Sequence, residues 1–521
     1  MNGRSLRTGV ALAAVCAAAA IAYAPSFAVP FQFDDYSRLG ENKALQQGHV
    51  LDAVLWLGNS RILPSLTLVL NYRLGGVEPF GYHVVNFAVH LLTTFGVFAL
   101  ALALCRTPRL RAAWPPDRAL LPATAAGLVF ACHPLQTQAV TYIIQRYSSM
   151  AALFYVWAVV CYLRARARQI GSAPGRAAPY FGACAVLAAC AVLSKENAAS
   201  LPAALLLSEW VGFGWPRRWR AIGVGALVTL IILAMPVVWK TAFWLPYVKG
   251  WSPSRTPMYQ RVLDAILAPR SAPVRGARPS SLEYLLTQAT VLPRYLRLVA
   301  LPWGLNVDHD VPIARTLSAP VVAGAMFLAT LAALGLSQVH RRPFVAFAIL
   351  WFFITLSVES SLIPIDDVMV EHRLYLPMAG LALGAGWLFA AAVQRAPRAA
   401  WSAGAMAAVG LLALTFARNV IWLSPVTLWV DAAGKSPDKA RVHLNAGVAY
   451  HQADQLDEAV QHYCRALKLK PDDHLALDNL EIALDALGKF DDLPLRIIAP
   501  AADGAVLAAV DEPTDLTTYC P

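Results

Sequence analysis

Long apolar runs separated by short polar stretches fill the first 420 or so residues. Runs of roughly 17–22 residues match the hydrocarbon thickness of a bilayer. About eleven are read: Gly9 to Phe27, then near 84–104, 119–132, 148–163, 178–193, 198–213, 221–242, 319–337, 344–358, 376–393 and 400–417. Backbone groups in lipid must be satisfied within their own segment, so these runs predict helices and an all-α, polytopic membrane bundle. Arg4 and Arg7 precede the first run as they would in a secretory leader. Its length and the spans that follow predict a first helix left in place.

The pattern changes after residue 425. Residues 440–473, ARVHLNAGVAYHQADQLDEAVQHYCRALKLKPDD, place Gly447, Tyr450, Ala459, Tyr463, Ala466 and Pro471 at tetratricopeptide spacing. Small residues let two antiparallel helices approach, aromatics fill the gap, and the proline ends the second helix. A degraded unit follows from His474, with Leu477, Leu480 and Leu484 on one helical face. So short an array needs support, expected from helical chain around Val426–Lys435. The organisation read is a transmembrane domain over 1–425, a tetratricopeptide-repeat domain over 426–495 and a loose tail over 496–521. The repeat serves either as a groove for a protein partner, the reading favoured, or as a cap on the membrane domain.

Composition agrees: 58% of residues are hydrophobic and 14% charged, too apolar for a soluble domain. The net charge of +11 hides an asymmetry, because the chain from Asp431 carries −8 and the first 430 residues +19. The excess lies in short Arg clusters between spans, which argues against a nucleic-acid partner and for cytoplasmic loops. Arg4/Arg7, Arg106/Arg109/Arg111/Arg118, Arg164/Arg166/Arg168/Arg176, Arg217/Arg218/Arg220, Arg341/Arg342 and Arg395/Arg398 all fall inside when the N-terminus does. Segments 28–83, 133–147, 194–197, 243–318, 359–375 and the chain from Arg418 then lie outside. In a bacterium this is the periplasmic face of the inner membrane. Cys464 and Cys520 either pair there or remain free thiols.

The outer segments hold the candidate chemistry. Adjacent carboxylates Asp34 and Asp35 repel, which raises a pKa, and one carboxylate beside a hydroxyl is a general base for glycosyl transfer. Arg146, Lys195, Arg294, His372, Arg373 and Arg418 are cations suited to a phosphate leaving group. His83, His133, Glu196 and Tyr375 join as pocket candidates. Asn86 and His90 read as helix-packing polars. Asp308, His309 and Asp310 form a triplet that could take a divalent metal, and metal use stays open. No sugar-nucleotide motif or Gly-rich phosphate loop is seen, which favours a phosphate carried on lipid. No water-soluble cofactor is expected.

In order, FQFDDYSRLGENKAL, RILPSLTLVLNYRLGGVEPFGYHVVNFAVHLL, FACHPLQTQAVTYIIQR, LSKENAASLP, YLRLVALPWGLNVDHD, VMVEHRLYLPMAGL and ARNVIWLSPVTLW resemble the transmembrane and tetratricopeptide-repeat-containing protein O-mannosyltransferases and their bacterial relatives, within the GT-C superfamily. The resemblance implies inverting transfer of a sugar from a polyprenyl-phosphate donor to a hydroxyl, on Ser or Thr of a protein. It makes Asp34 or Asp35 the base and Arg146, Lys195, Glu371 and Arg373 the donor-phosphate pocket. The chain departs from the animal pattern in placing His372 between Glu371 and Arg373, and in its short repeat region. Two alternatives stay open: a glycosyltransferase with a lipid or glycan acceptor, and a non-enzymatic membrane scaffold displaying the repeat.

Overall fold

The computed structural model describes residues 3–50, 53–54, 57, 61–115, 118–171, 174–214, 279–361 and 363–488. The span expected at 221–242, the Arg217/Arg218/Arg220 loop, the tail over 496–521 and Cys520 lie outside them. All regular structure among the described residues is helical. In chain order the longer helices are α1 (Gly3–Tyr23), α2 (Ile62–Gly75), α3 (Pro79–Cys105), α4 (Leu120–Cys132), α5 (Arg146–Ile170), α6 (Ala178–Val192), α7 (Leu201–Phe213) and α8 (Ser281–Ala300). There follow α9 (Ala319–Gln338), α10 (Pro343–Leu356), α11 (Tyr375–Arg395), α12 (Pro397–Ile421), α13 (Pro425–Lys435), α14 (Ala440–Gln452), α15 (Leu456–Leu469) and α16 (His474–Ala486). Each expected apolar run other than 221–242 falls on one of these helices. Six stretches are long and apolar enough to cross a bilayer: Ser5–Ala28, Pro79–Cys105, Ile143–Ile170, Ala319–Gln338, Glu371–Arg395 and Pro397–Ile421. This is an integral membrane protein.

Chain contacts separate two compact units, one of Met1–Leu305 with Val311–Val420, the other of Asn306–Asp310 with the chain from Ile421. In the first, α5 packs on α3 and α6, and α11 packs on α4 and α10. Lipid tails are as apolar as leucine, so such contacts depend on close van der Waals fit between small residues. Gly386 of α11 shows why: a Cβ there would collide with the Pro122 carbonyl oxygen and Ala126 of α4. Trp351, wholly buried, donates its indole N–H to the Leu376 carbonyl at 3.0 Å and joins α10 to α11. By contrast α12 buries only 11% of its most apolar stretch, with Trp401, Met406 and Val409 exposed, the surface that hydrocarbon covers. Three apolar helices are short: α4 has 13 residues, α6 has 15 and α10 has 14.

The second unit contains the helix pair expected over 440–473, as α14 and α15, with α16 packed on α15. Gly447 faces Tyr463 so closely that an added Cβ would lie 2.5 Å from the ring. Ala459, Tyr463 and Ala466 are fully buried between the helices. The segment Asn306–Asp310 is bound into this unit. Asp308 takes Lys439 Nζ at 2.6 Å and Arg441 Nη2 at 2.7 Å, and Asn306 Nδ2 donates to Ser436 Oγ at 2.8 Å. Cys464 is disulfide-bonded.

Candidate active site

The turn after α1 holds the two acids. Phe33 sits at φ 51°, in the left-handed region that non-glycine residues seldom occupy. Such strain costs on the order of 1–3 kcal/mol and persists only where the surroundings enforce it. Here Asp35 does so. Its Oδ1 accepts the Ile144 N–H at 2.9 Å and its Oδ2 the Gln32 N–H at 3.2 Å. Asp35 is buried, and burial pushes its carboxyl up to about 8, with the two N–H donors opposing the rise. Asp34 differs: its side chain is 44% exposed, its Oδ2 lies 3.8 Å from Arg38 Nε, and its backbone N–H donates to the Tyr142 hydroxyl at 3.1 Å.

A second cluster gathers cations. Lys195, just past α6, contacts Glu359, just past α10, at 2.7 Å and donates to Ser148 Oγ at 3.0 Å. Asn197 Nδ2 donates to the other Glu359 oxygen at 3.4 Å. Burial alone would raise the Glu359 carboxyl, but Lys195, Arg373 and Arg61 together hold it below its ordinary range. Arg373 donates to Tyr284 Oη at 3.3 Å and to the Val368 and Asp367 carbonyls at 3.2 and 2.5 Å. Tyr284 in turn donates to the Glu359 carbonyl at 2.5 Å. Tyr295 braces the same loop from α8, accepting the Val370 N–H at 2.9 Å and donating to its carbonyl at 2.8 Å. Arg61 pairs with Glu196 at 3.2 Å and lies over the Tyr147 ring. His372 meets Gln138 Oε1 through its backbone N–H at 2.8 Å and its Nδ1 at 3.2 Å. Ordered cations held around the buried Glu359 carboxylate suit the recognition of a phosphate.

Thus Lys195, Glu196, His372 and Arg373 come together as their outer-loop positions suggest, with buried Glu371 in the same short turn. The other candidates lie differently. His83 Nε2 bonds the Val29 carbonyl at 2.8 Å, fixing the turn after α1 to α3. His133 accepts the Leu135 N–H on Nδ1 at 3.3 Å, so its Nε2 carries the proton donated to the Val299 carbonyl at 3.0 Å. Tyr375 is buried and bonds His90 Nδ1 at 2.8 Å. Arg146, expected on the phosphate, is wholly buried among neutral acceptors: Asn86 Oδ1, Asn71 Oδ1, Thr67 Oγ1 and the Tyr82 carbonyl, at 2.6, 2.7, 3.1 and 3.0 Å. Arg418 is buried near the end of α12. The Asp308–His309–Asp310 triplet belongs to the second unit. There two cations occupy Asp308, and among the described residues no three metal-ligating side chains converge.

Glu359 and Arg61 are the site residues that the sequence reading passed over. Glu359 carried a signal, a lone acid at the edge of an apolar run, where ionisable groups are costly and tend to be functional.

No family model matches the chain. It is similar to Protein O-mannosyl-transferase Tmtc3 of Drosophila melanogaster, 24% identical over 88% of this chain and 55% of the relative. Protein O-mannosyl-transferase TMTC1 of Homo sapiens is 25% identical over 81% of this chain and 49% of its own. Higher identity is local: Protein O-mannosyl-transferase Tmtc2 of Drosophila melanogaster reaches 37%, over 27% of this chain and 14% of its own. The chain spans about half the length of the long-matching curated relatives. Among solved structures it is similar to ArnT from Cupriavidus metallidurans bound to undecaprenyl phosphate, at 15% identity and a TM-score of 0.43, over 93% of this chain and 77% of that one.

Proposed function

We propose that this chain transfers a sugar from a polyprenyl-phosphate donor to a Ser or Thr hydroxyl of a protein, on the extracytoplasmic side of the membrane. The observation that carries the reading is the pairing, within one bundle, of a cation cluster fit for phosphate with a strained turn that presents a carboxylate. Lys195 and Arg373, with Arg61, hold the donor phosphate. Asp34, the half-exposed acid, takes the proton of the acceptor hydroxyl. The hydroxyl oxygen bonds to the anomeric carbon from the face opposite the phosphate. The carbon–oxygen bond to phosphate breaks with its electron pair leaving on the phosphate oxygen, so configuration inverts. The cations stabilise that charge as it develops. The resemblance to protein O-mannosyl-transferases favours mannose as the sugar and a protein as acceptor.

Two features support the side. The Arg clusters at the opposite helix ends follow the positive-inside rule. The disulfide at Cys464 needs an oxidising compartment. The periplasmic face of a bacterial inner membrane meets both conditions, with the repeat unit offered to the protein partner.

The purified full chain, given polyprenyl-phosphate mannose and a Ser/Thr peptide, should yield a glycosylated peptide by intact mass. D34N should lower kcat by roughly 100- to 10,000-fold, the range of a lost general base. A D34N enzyme as fast as the parent sinks the assignment, and a parent with no product sinks the activity.

A further inference from the structure

The Arg146 cradle has no carboxylate. Four of the five guanidinium N–H groups reach neutral oxygens of α2 and α3, and the group lies over the Tyr82 ring. A group with no exposed surface and so many bonds has little left for a lipid phosphate. Its partners lead elsewhere. Asn86 accepts Arg146 Nε through Oδ1, and its Nδ2 donates to the Val140 and Ile143 carbonyls at 3.0 and 3.3 Å. Those two bonds tie down the segment Val140–Ile144, which links two short helical turns. The same segment offers the Ile144 N–H to Asp35 and the Tyr142 hydroxyl to the Asp34 N–H. Only a planar fork can serve several acceptors at fixed angles, so lysine cannot replace it.

We infer that Arg146 is a positioning residue: through Asn86 it sets the Val140–Ile144 segment that holds the Asp34–Asp35 turn in its strained, reactive geometry. The inference rests on the reading of that turn as the base of a sugar transfer. It separates Arg146 from Lys195 and Arg373, because a positioning residue affects the reaction step and a phosphate ligand affects donor binding.

The test uses the full chain with R146K and with N86D, which keeps the acceptor for Arg146 but loses the donor to the Val140 and Ile143 carbonyls. Three quantities are read: kcat for mannosyl transfer, the dissociation constant for undecaprenyl phosphate, and hydrogen exchange of amides 140–147. Both variants should lose about 100-fold in kcat, the scale of a displaced reacting group, with undecaprenyl phosphate affinity unchanged and faster exchange over 140–147. Weaker undecaprenyl phosphate binding in R146K, with N86D behaving as the parent, would make Arg146 a phosphate ligand and overturn the inference. Unchanged kcat in both variants overturns it as well. Should R146K not fold, N86D alone decides by the same criteria. If the parent transfers no sugar, the functional reading fails by itself. The positioning of the segment then stands or falls on whether exchange over 140–147 speeds up.

Discussion

Asp34 and Asp35 are neighbours with opposite surroundings, and the difference has a measurable sign. Burial holds the Asp35 carboxyl near 8, so the folded chain keeps a proton that the unfolded chain gives up near the ordinary carboxylate value. The folded state therefore binds more protons between those limits. The stability linked to Asp35 is fully present below the ordinary value and is lost as pH rises through about 8. The melting temperature of the parent should fall more steeply than that of D35N between about pH 5 and pH 8. Parallel curves would show that Asp35 titrates normally. Much of this site was legible beforehand, because Lys195, His372 and Arg373 stand as isolated charges between apolar runs. Arg146 was not, since Thr67, Asn71, Tyr82 and Asn86 lie 60–79 residues away from it and are individually unremarkable. A cation in sequence does not reveal whether its acceptors are neutral or anionic.

At the level of elements, hydropathy located most helices, while local chemistry set their ends. The run read at 84–104 is α3, Pro79–Cys105, which begins earlier because Pro79 suits a first helical turn and His83 and Asn86 are inward-facing helix residues. Helix α8 was read only as loop, yet Ser280 and Glu283 carry the S-x-x-E signature and form a full capping box. Its mixed composition hid it from a search for apolar runs. The repeat pair was plain from spacing, and its tightest contact gives a test. In G447A the new methyl must push Tyr463 or part α14 from α15, a cost of about 1–3 kcal/mol for overpacking. G434A, on α13 where a Cβ would meet nothing within 4 Å, should be neutral or slightly stabilising. Chemical denaturation of the two variants compares them, and equal stability would mean that the Gly447–Tyr463 contact is looser than described.

Considered as a whole, the membrane unit joins long and short helices, and two of the short ones lead into the candidate site: α6 into Lys195 and α10 into Glu359. A helix of 14 residues rises about 21 Å, against a hydrocarbon layer of about 30 Å. Hydrophobic mismatch of this kind thins the surrounding lipid or leaves the helix end submerged. Under the proposed transfer, a submerged helix end would set the Lys195–Glu359 pair below the neighbouring headgroups, where a carrier with a long isoprenoid chain arrives sideways through the bilayer. Turnover in vesicles of graded acyl-chain length registers this: it should decline as the membrane thickens and the polar pocket sinks deeper. A rate indifferent to thickness would mean that the pocket opens to water. On that reading the bilayer is itself a dimension of the site, and its depth sets how far a donor phosphate must descend to be captured.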